Sequence, residues 1–179
     1  MVGLASSVAM AQHFGGSVSV SSGESDNAYK SDTIYVSERQ DTYRLRLNGE
    51  YINQFLSATA EYSGEDKHFA KESQEDKTFI DGSSSLLLGA ATDPVDLQLK
   101  HSRRTLLSAP DDLNISSNQD DREMLSAIPR FKKKISAADF VTVSADYTKI
   151  DFTKNELNNS ERVTGSLSWL RDISKVSSL

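Results

Sequence analysis

The chain contains no cysteine, an absence that removes disulfide frameworks, thiolate metal sites and cysteine nucleophiles together. Proline is nearly as scarce, at three in 179 residues, so few positions are barred from pairing in a sheet. No stretch approaches the roughly 18 apolar residues of a membrane helix, which excludes a helical membrane protein. Positive charge is in deficit: 20 Lys and Arg stand against 26 Asp and Glu, a net charge of -6 that argues against nucleic acid as a partner. No Gly-rich phosphate loop, nucleophile elbow or H-E-x-x-H pattern occurs. His13, His68 and His101 are far apart and none has a metal-ligand spacing, so they are expected at the surface and no cofactor is expected.

What is abundant is serine, with 28 residues, beside a hydrophobic fraction of 37%. That composition suits one domain, either a sheet with many polar side chains on one face or a partly disordered chain. Residues 1–11 read MVGLASSVAMA, and Ala9 and Ala11 bracket Met10 in the small-x-small form that signal peptidase accepts. Cleavage after Ala11 is expected, leaving 1–11 as a signal-peptide remnant and 12–179 as the mature domain.

The body alternates with period two, which puts every second side chain on one face of a strand. Tyr43, Leu45, Leu47, Gly49 and Tyr51 alternate with Thr42, Arg44, Arg46, Asn48 and Glu50. The series Ile80, Gly82, Ser84, Leu86 and Leu88 leads to a turn at Thr92, Asp93 and Pro94, after which Val95, Leu97 and Leu99 alternate with Asp96, Gln98, Lys100 and Arg104. Val141, Val143, Ala145 and Tyr147 face away from Thr142, Ser144, Asp146 and Thr148, and Val163, Gly165, Leu167 and Trp169 repeat the pattern. Ile150 and Phe152 break the parity of their segment, through a bulge or the end of an apolar band. The segment 124–135 is the weakest strand, because Pro129 cannot donate and Arg130, Lys132, Lys133 and Lys134 follow it.

Short connections near 91–94, 136–139 and 172–175 alternate with long polar ones over roughly 63–77, 106–123 and 154–162, the layout of an outer-membrane barrel. The early region is less defined: 17–22 reads as a strand, and 33–51 as one bulged strand or two. Asp111, Asp112, Asp120 and Asp121, or Glu24, Asp26, Asn27 and Asp32, have oxygens suited to calcium, but neither set has EF-hand spacing and solvated loop charge explains both.

The segments DN at 26–27, SDTI at 31–34, ADYTKIDF at 145–152 and NSERVTGSLSW at 159–169 resemble β-barrel porins of Gram-negative outer membranes. The likeness is greatest to outer-membrane proteins encoded beside exopolysaccharide and PEP-CTERM/exosortase systems. Ser160-Glu161-Arg162 stands where that family often has an aspartate before its arginine. The resemblance covers about 18–179 and implies an all-β, antiparallel up-and-down transmembrane barrel, with six to eight strands visible. It further implies a non-enzymatic role in polysaccharide export or passage across the outer membrane, with outer-membrane lipid and envelope export components as partners.

On that reading Arg44, Arg46, Glu50, Asp96, Lys100, Arg104 and Asp146 face a lumen, and Leu45, Leu47, Leu86, Leu88, Leu97, Leu99, Val141, Val143 and Leu167 face lipid. Tyr43, Tyr51, Tyr147, Phe152 and Trp169 are the expected aromatic girdle. A closed single-chain barrel needs an even number of strands from eight upward, so the chain is expected to be the amino-terminal part of a larger barrel. The alternative is a secreted β-sandwich that binds or adheres through its acidic loops. A third class, an enzyme housed in a barrel as in outer-membrane lipases, needs a serine, a histidine and an acid brought together in space, and no local motif does that.

Overall fold

The computed structural model describes residues 11–28, 35–71, 73–90, 93–108, 111 and 115–172. Eight antiparallel strands follow one another in a single up-and-down sheet, in spatial order identical to chain order. They are β1 (Ala11–Ser25), β2 (Glu38–Ile52), β3 (Leu56–Phe69), β4 (Lys77–Leu88), β5 (Val95–Leu107), β6 (Gln119–Lys134), β7 (Asp139–Phe152) and β8 (Ser160–Arg171). β1 and β8 pair only with β2 and β7, so the sheet is not closed into a barrel and both outer strands present a free edge. The expectation of a closed barrel is thereby reduced to its coarser form, an all-β antiparallel meander.

Connections at one end of the sheet are short, at 53–55, 89–94 and 135–138, and each is shaped by one small polar side chain. Asn53 Oδ1 accepts from the N–H groups of Phe55 and Leu56, each at 2.8 Å. Asp93 Oδ2 accepts from Ala90 N–H at 2.7 Å, beside Gly89, whose φ of 98° suits a residue without Cβ. Ser136 Oγ accepts from Ala138 and Asp139 N–H. Asx and Ser turns of this kind replace the hydrogen bonds that a reversing backbone loses. The connections at the opposite end span 26–37, 70–76, 108–118 and 153–159.

The strands extend well beyond their apolar stretches. β3 and β6 run into segments expected to be loop or irregular, and β6 is a continuous strand through Pro129. That proline pairs with Leu97 of β5, while the ladder to β7 skips Ile128 and Pro129 without changing register. The cost of the missing N–H is confined to one side of one strand. The β7–β8 register is also unbroken, so no bulge accounts for Ile150 and Phe152. They lie on the same face as Arg122 and Thr148. β2 is one strand, and β1 starts at Ala11; residues 1–10 and the turn expected at 173–175 lie outside the described residues.

Burial in this single layer is sparse: Asp96 and Ala138 are buried at the short-turn end, and the rest lies at the end with the longer connections. Phe69 and Phe79, on the polar face, are buried at that long-connection end with Ala28. The ammonium groups of Lys67 and Lys77 lie 4.9 and 5.0 Å from the Phe79 ring centroid. Glu38, 1% exposed, accepts the N–H groups of Lys71 and Ser73. Asp120, 3% exposed, accepts those of Lys154 and Asn155 at 2.8 and 2.9 Å. Two carboxylates thus clamp the 70–76 and 153–159 connections to the strands beneath them.

Candidate functional site: the polar face and its apolar reverse

Because antiparallel partners point to the same side, the register sorts every strand residue onto one of two faces. Arg44, Arg46, Glu50, Asp96, Lys100, Arg104 and Asp146 all fall on one of them. Leu45, Leu47, Leu86, Leu88, Leu97, Leu99, Val141, Val143 and Leu167 all fall on the other. Of the five aromatic residues, Tyr43, Tyr51, Tyr147 and Trp169 share the apolar face, and Phe152 does not. Tyr51 and Trp169 sit near the short-turn end, where Trp169 Nε1–H donates to Asp139 Oδ1 at 3.1 Å. Tyr43 and Tyr147 stand higher.

The apolar face is bounded along the strands. Starting from the short turns it carries Val95, Leu97 and Leu99 in β5, then becomes His101 and Arg103. In β6 it carries Lys133 next to the turn, then Phe131, Pro129, Ala127 and Leu125, then Glu123 and Asp121; in β7, Val141, Val143, Ala145 and Tyr147, then Lys149 and Asp151. In β8 Trp169, Leu167 and Val163 give way to Glu161. Above that level charged residues stand on both faces, with Phe69, Phe79, Ile150 and Phe152 among them on the polar one. Exposure is inverted relative to a soluble fold: Leu167 is 75% and Val18 76% exposed, while Asp96 on the polar face is 2% exposed.

The ionic groups of the polar face divide into paired and unpaired. Asp96 is held by Arg130 Nε and Lys132 Nζ, each at 2.6 Å. Arg44 pairs with Glu65, which also takes Lys67 Nζ at 3.2 Å. Asp146 accepts from Thr148 Oγ1 at 2.8 Å and Ser126 Oγ at 3.2 Å. Arg46, Lys100 and Arg104 have no ion-pair partner among the described residues. Arg46 and Arg104 flank a groove of about 930 Å³ with Asn48, Glu61 and Asp81, over the small residues Gly15, Ser17, Ser63 and Ser83. Asn48 lies over Gly15 so closely that a Cβ there would come within 2.7 Å of its Oδ1. β4 and β5 part above Gly82 and Arg103, and Asp81 Oδ1 crosses the gap to accept Thr105 N–H at 2.7 Å.

Of the acids weighed for calcium, Asp120 and Asp121 are engaged otherwise. Asp120 clamps the 153–159 connection, whereas Asp121 binds Arg103 Nη2 at 2.9 Å and Thr105 Oγ1 at 2.8 Å. Asp112 and Asp32 lie outside the described residues. His13 is on β1 of the polar face, and His68 contacts Asp76. His101 is not an isolated surface residue: with Tyr62, Ser84 and Glu123 it forms a chain of hydrogen bonds on the apolar face. No spacing in the sequence announces that group, because its members come from four strands.

Comparison with protein-family models, with curated proteins and with solved structures gives no match.

Proposed function

We propose that this chain is part of an outer-membrane β-barrel of porin type, whose apolar face meets lipid and whose polar face lines an aqueous path. One observation carries the reading: an apolar band, limited to the short-turn side of the strands, gives way to charge on both faces above it. A transmembrane strand needs about 9–11 residues, and the excess strand length and longer connections are what an outer-membrane barrel extends beyond the bilayer. A soluble sandwich would need a second layer over Leu45, Leu97, Val143 and Leu167, and the eight strands all belong to one layer.

The groove beside Arg46 and Arg104, floored by serine and glycine and rimmed by Asn48, Glu61 and Asp81, suits a hydroxyl-rich solute that exchanges water hydrogen bonds for protein ones. Polysaccharide is the solute that the resemblance to exopolysaccharide-associated porins implies, with envelope export components as partners. Passage along such a path is passive and needs no catalytic group. An eight-stranded barrel has an interior just wide enough for side chains. A conduit therefore requires the free edges of β1 and β8 to pair with further strands.

The test is refolding into phosphatidylcholine vesicles followed by flotation and by release of trapped oligosaccharides graded in size. Co-flotation with size-limited release is expected. Protein that remains soluble without detergent and leaves the vesicles sealed would replace this reading with the secreted sheet.

A further inference from the structure

Four polar residues interrupt the apolar face where it turns from aliphatic to charged. Ser84 of β4 lies directly opposite His101 of β5 in the register, and Tyr62 of β3 lies opposite Gly82. The bare backbone at Gly82 leaves room for the tyrosine ring; a Cβ there would come within 2.4 Å of Tyr62 Cδ1. The ring stacks on His101 with 5.9 Å between centroids. Its hydroxyl donates to Ser84 Oγ at 3.1 Å and touches His101 Nδ1. On the far side of the imidazole, Nε2 is 3.1 Å from Glu123 Oε1.

Each hydroxyl has a single hydrogen to give. That of Tyr62 goes to Ser84, so the tyrosine oxygen accepts from His101 Nδ1–H. The tautomer protonated on Nδ1 satisfies this contact, and an imidazolium satisfies the one to Glu123 as well. In either form the donors run from His101 through Tyr62 to Ser84, and a chain of this sense strengthens the donor at its end. Ser84 accepts from Tyr62, and its own hydrogen has no acceptor among the described residues. Ser84 and His101 line a groove of about 480 Å³ on this face, with Ala58, Ala60, Leu125 and Tyr147. Leu86 and Leu99, paired one row nearer the short turns, continue it into the apolar band.

We propose that this groove holds one acyl chain of a membrane lipid, whose ester carbonyl accepts from Ser84 O–H. Depth supports this occupant: acyl carbonyls lie at the boundary between hydrocarbon and head groups, and Ser84 stands where the aliphatic band meets charge. The direction of the hydrogen bonds supports it too, because the open position is a donor and a carbonyl only accepts. A head-group phosphate does not suit the cluster. Arg103, opposite Glu123, and Lys149, opposite Leu125, are the cations beside it on this face. Both are engaged, Arg103 with Asp121 and Lys149 with Asp151, each at 2.9 Å, while Glu123 repels an anion. The identity of the occupant as a membrane lipid rests on the reading of the apolar face as lipid-facing; the donor at Ser84 does not.

The experiment is a titration of the full chain, refolded in non-ionic detergent, with diacyl phosphatidylcholine and with its dialkyl ether analogue, read by native mass spectrometry. The ether lipid has the same head group and chain lengths and lacks only the ester carbonyls. Wild type should retain one diacyl lipid about fivefold more tightly than the ether lipid, as one hydrogen bond of ordinary strength gives. Ser84→Ala should bring the two lipids to equal retention. Tyr62→Phe keeps the ring over Gly82 and removes the hydroxyl that orients Ser84, so it should lower the preference without disturbing the fold. Equal retention of both lipids by wild type, or a preference that survives Ser84→Ala, overturns the site. Uptake that never saturates at one lipid also overturns it, as the mark of an unspecific apolar surface. Vesicle flotation is scored separately: lost flotation with the ester preference intact overturns the membrane reading alone, and flotation without the preference overturns this site alone.

Discussion

Glu38 illustrates how a single side chain holds a connection in place over a sheet that has little core. Burial alone would push its carboxyl up, but hydrogen bonds from Ser73, Lys71 and Arg39 outweigh burial and hold it below the ordinary value of 4.5. A carboxylate depressed in the folded state adds stability above its unfolded pKa and loses it as the pH falls through the folded value. The protection of the Lys71 and Ser73 amides, taken relative to their intrinsic exchange rates at each pH, should therefore be high at neutral pH and fall as the pH drops below 4.5, and Glu38→Gln should be weakly protected throughout. Hydrogen exchange resolved to those two amides checks this, and pH-independent protection in the wild type would show that the clamp does not depend on charge. Asp96 works differently, since it neutralises two cations at once. Asp96→Asn weakens both charge-assisted contacts to Arg130 and Lys132, for an expected loss of about 1.5–3 kcal/mol. Denaturant midpoints should show that this loss shrinks when Arg130→Gln is combined with it.

At the scale of the strand, alternation was legible wherever one face is apolar and the other polar. The segments around Leu45, Leu97, Val143 and Leu167 occupy strands with the facing that their spacing implies. β3 was harder to see, because Ala58, Ala60 and Gly64 give its apolar face little contrast. The upper parts of β3 and β6 read as loop for a related reason: Asp66, His68, Asp121 and Glu123 make the otherwise apolar face polar there, so the period-two signal vanishes while pairing continues. The change of parity at Ile150 and Phe152 has the same origin, with apolar residues on the polar face where the band has ended. The chain of Ser84, Tyr62, His101 and Glu123 was invisible, since hydrogen bonding across four strands depends on register and on the bare backbone at Gly82. Facing gives a direct prediction at this scale. Leu45→Arg and Leu97→Arg should each cost about 2–4 kcal/mol in bilayers if they lie near the midplane. Arg46→Ala, on the opposite face and without an ion-pair partner among the described residues, should change stability little. Equal tolerance at Leu45 and Arg46 in urea titrations of vesicle-bound protein would remove the facing assignment.

For the whole molecule the decisive feature is the pair of free edges. An unpaired strand edge in hydrocarbon leaves a row of N–H and C=O groups with no water to satisfy them, which is why only closed barrels and helices span membranes. In water the same edges template aggregation. All residues of β8 and nearly all of β1 are exposed, so both edges are physically open to partners. Closure of the eight strands upon themselves would fill the interior with Arg44, Arg46, Glu61, Lys100 and Arg104, whereas a wider barrel leaves their charges facing water. The wider barrel is therefore the expected assembly, and the absence of cysteine makes it easy to test. Ser19→Cys on β1 and Ser166→Cys on β8, both on the polar face, introduce the only two thiols in the chain. Treatment of the vesicle-inserted double variant with a short bis-maleimide should link separate chains and give species of twice the mass on a denaturing gel. Predominant linkage within single chains would show that β1 and β8 meet each other, and the aqueous path would shrink to the side-chain-filled interior of an eight-stranded barrel.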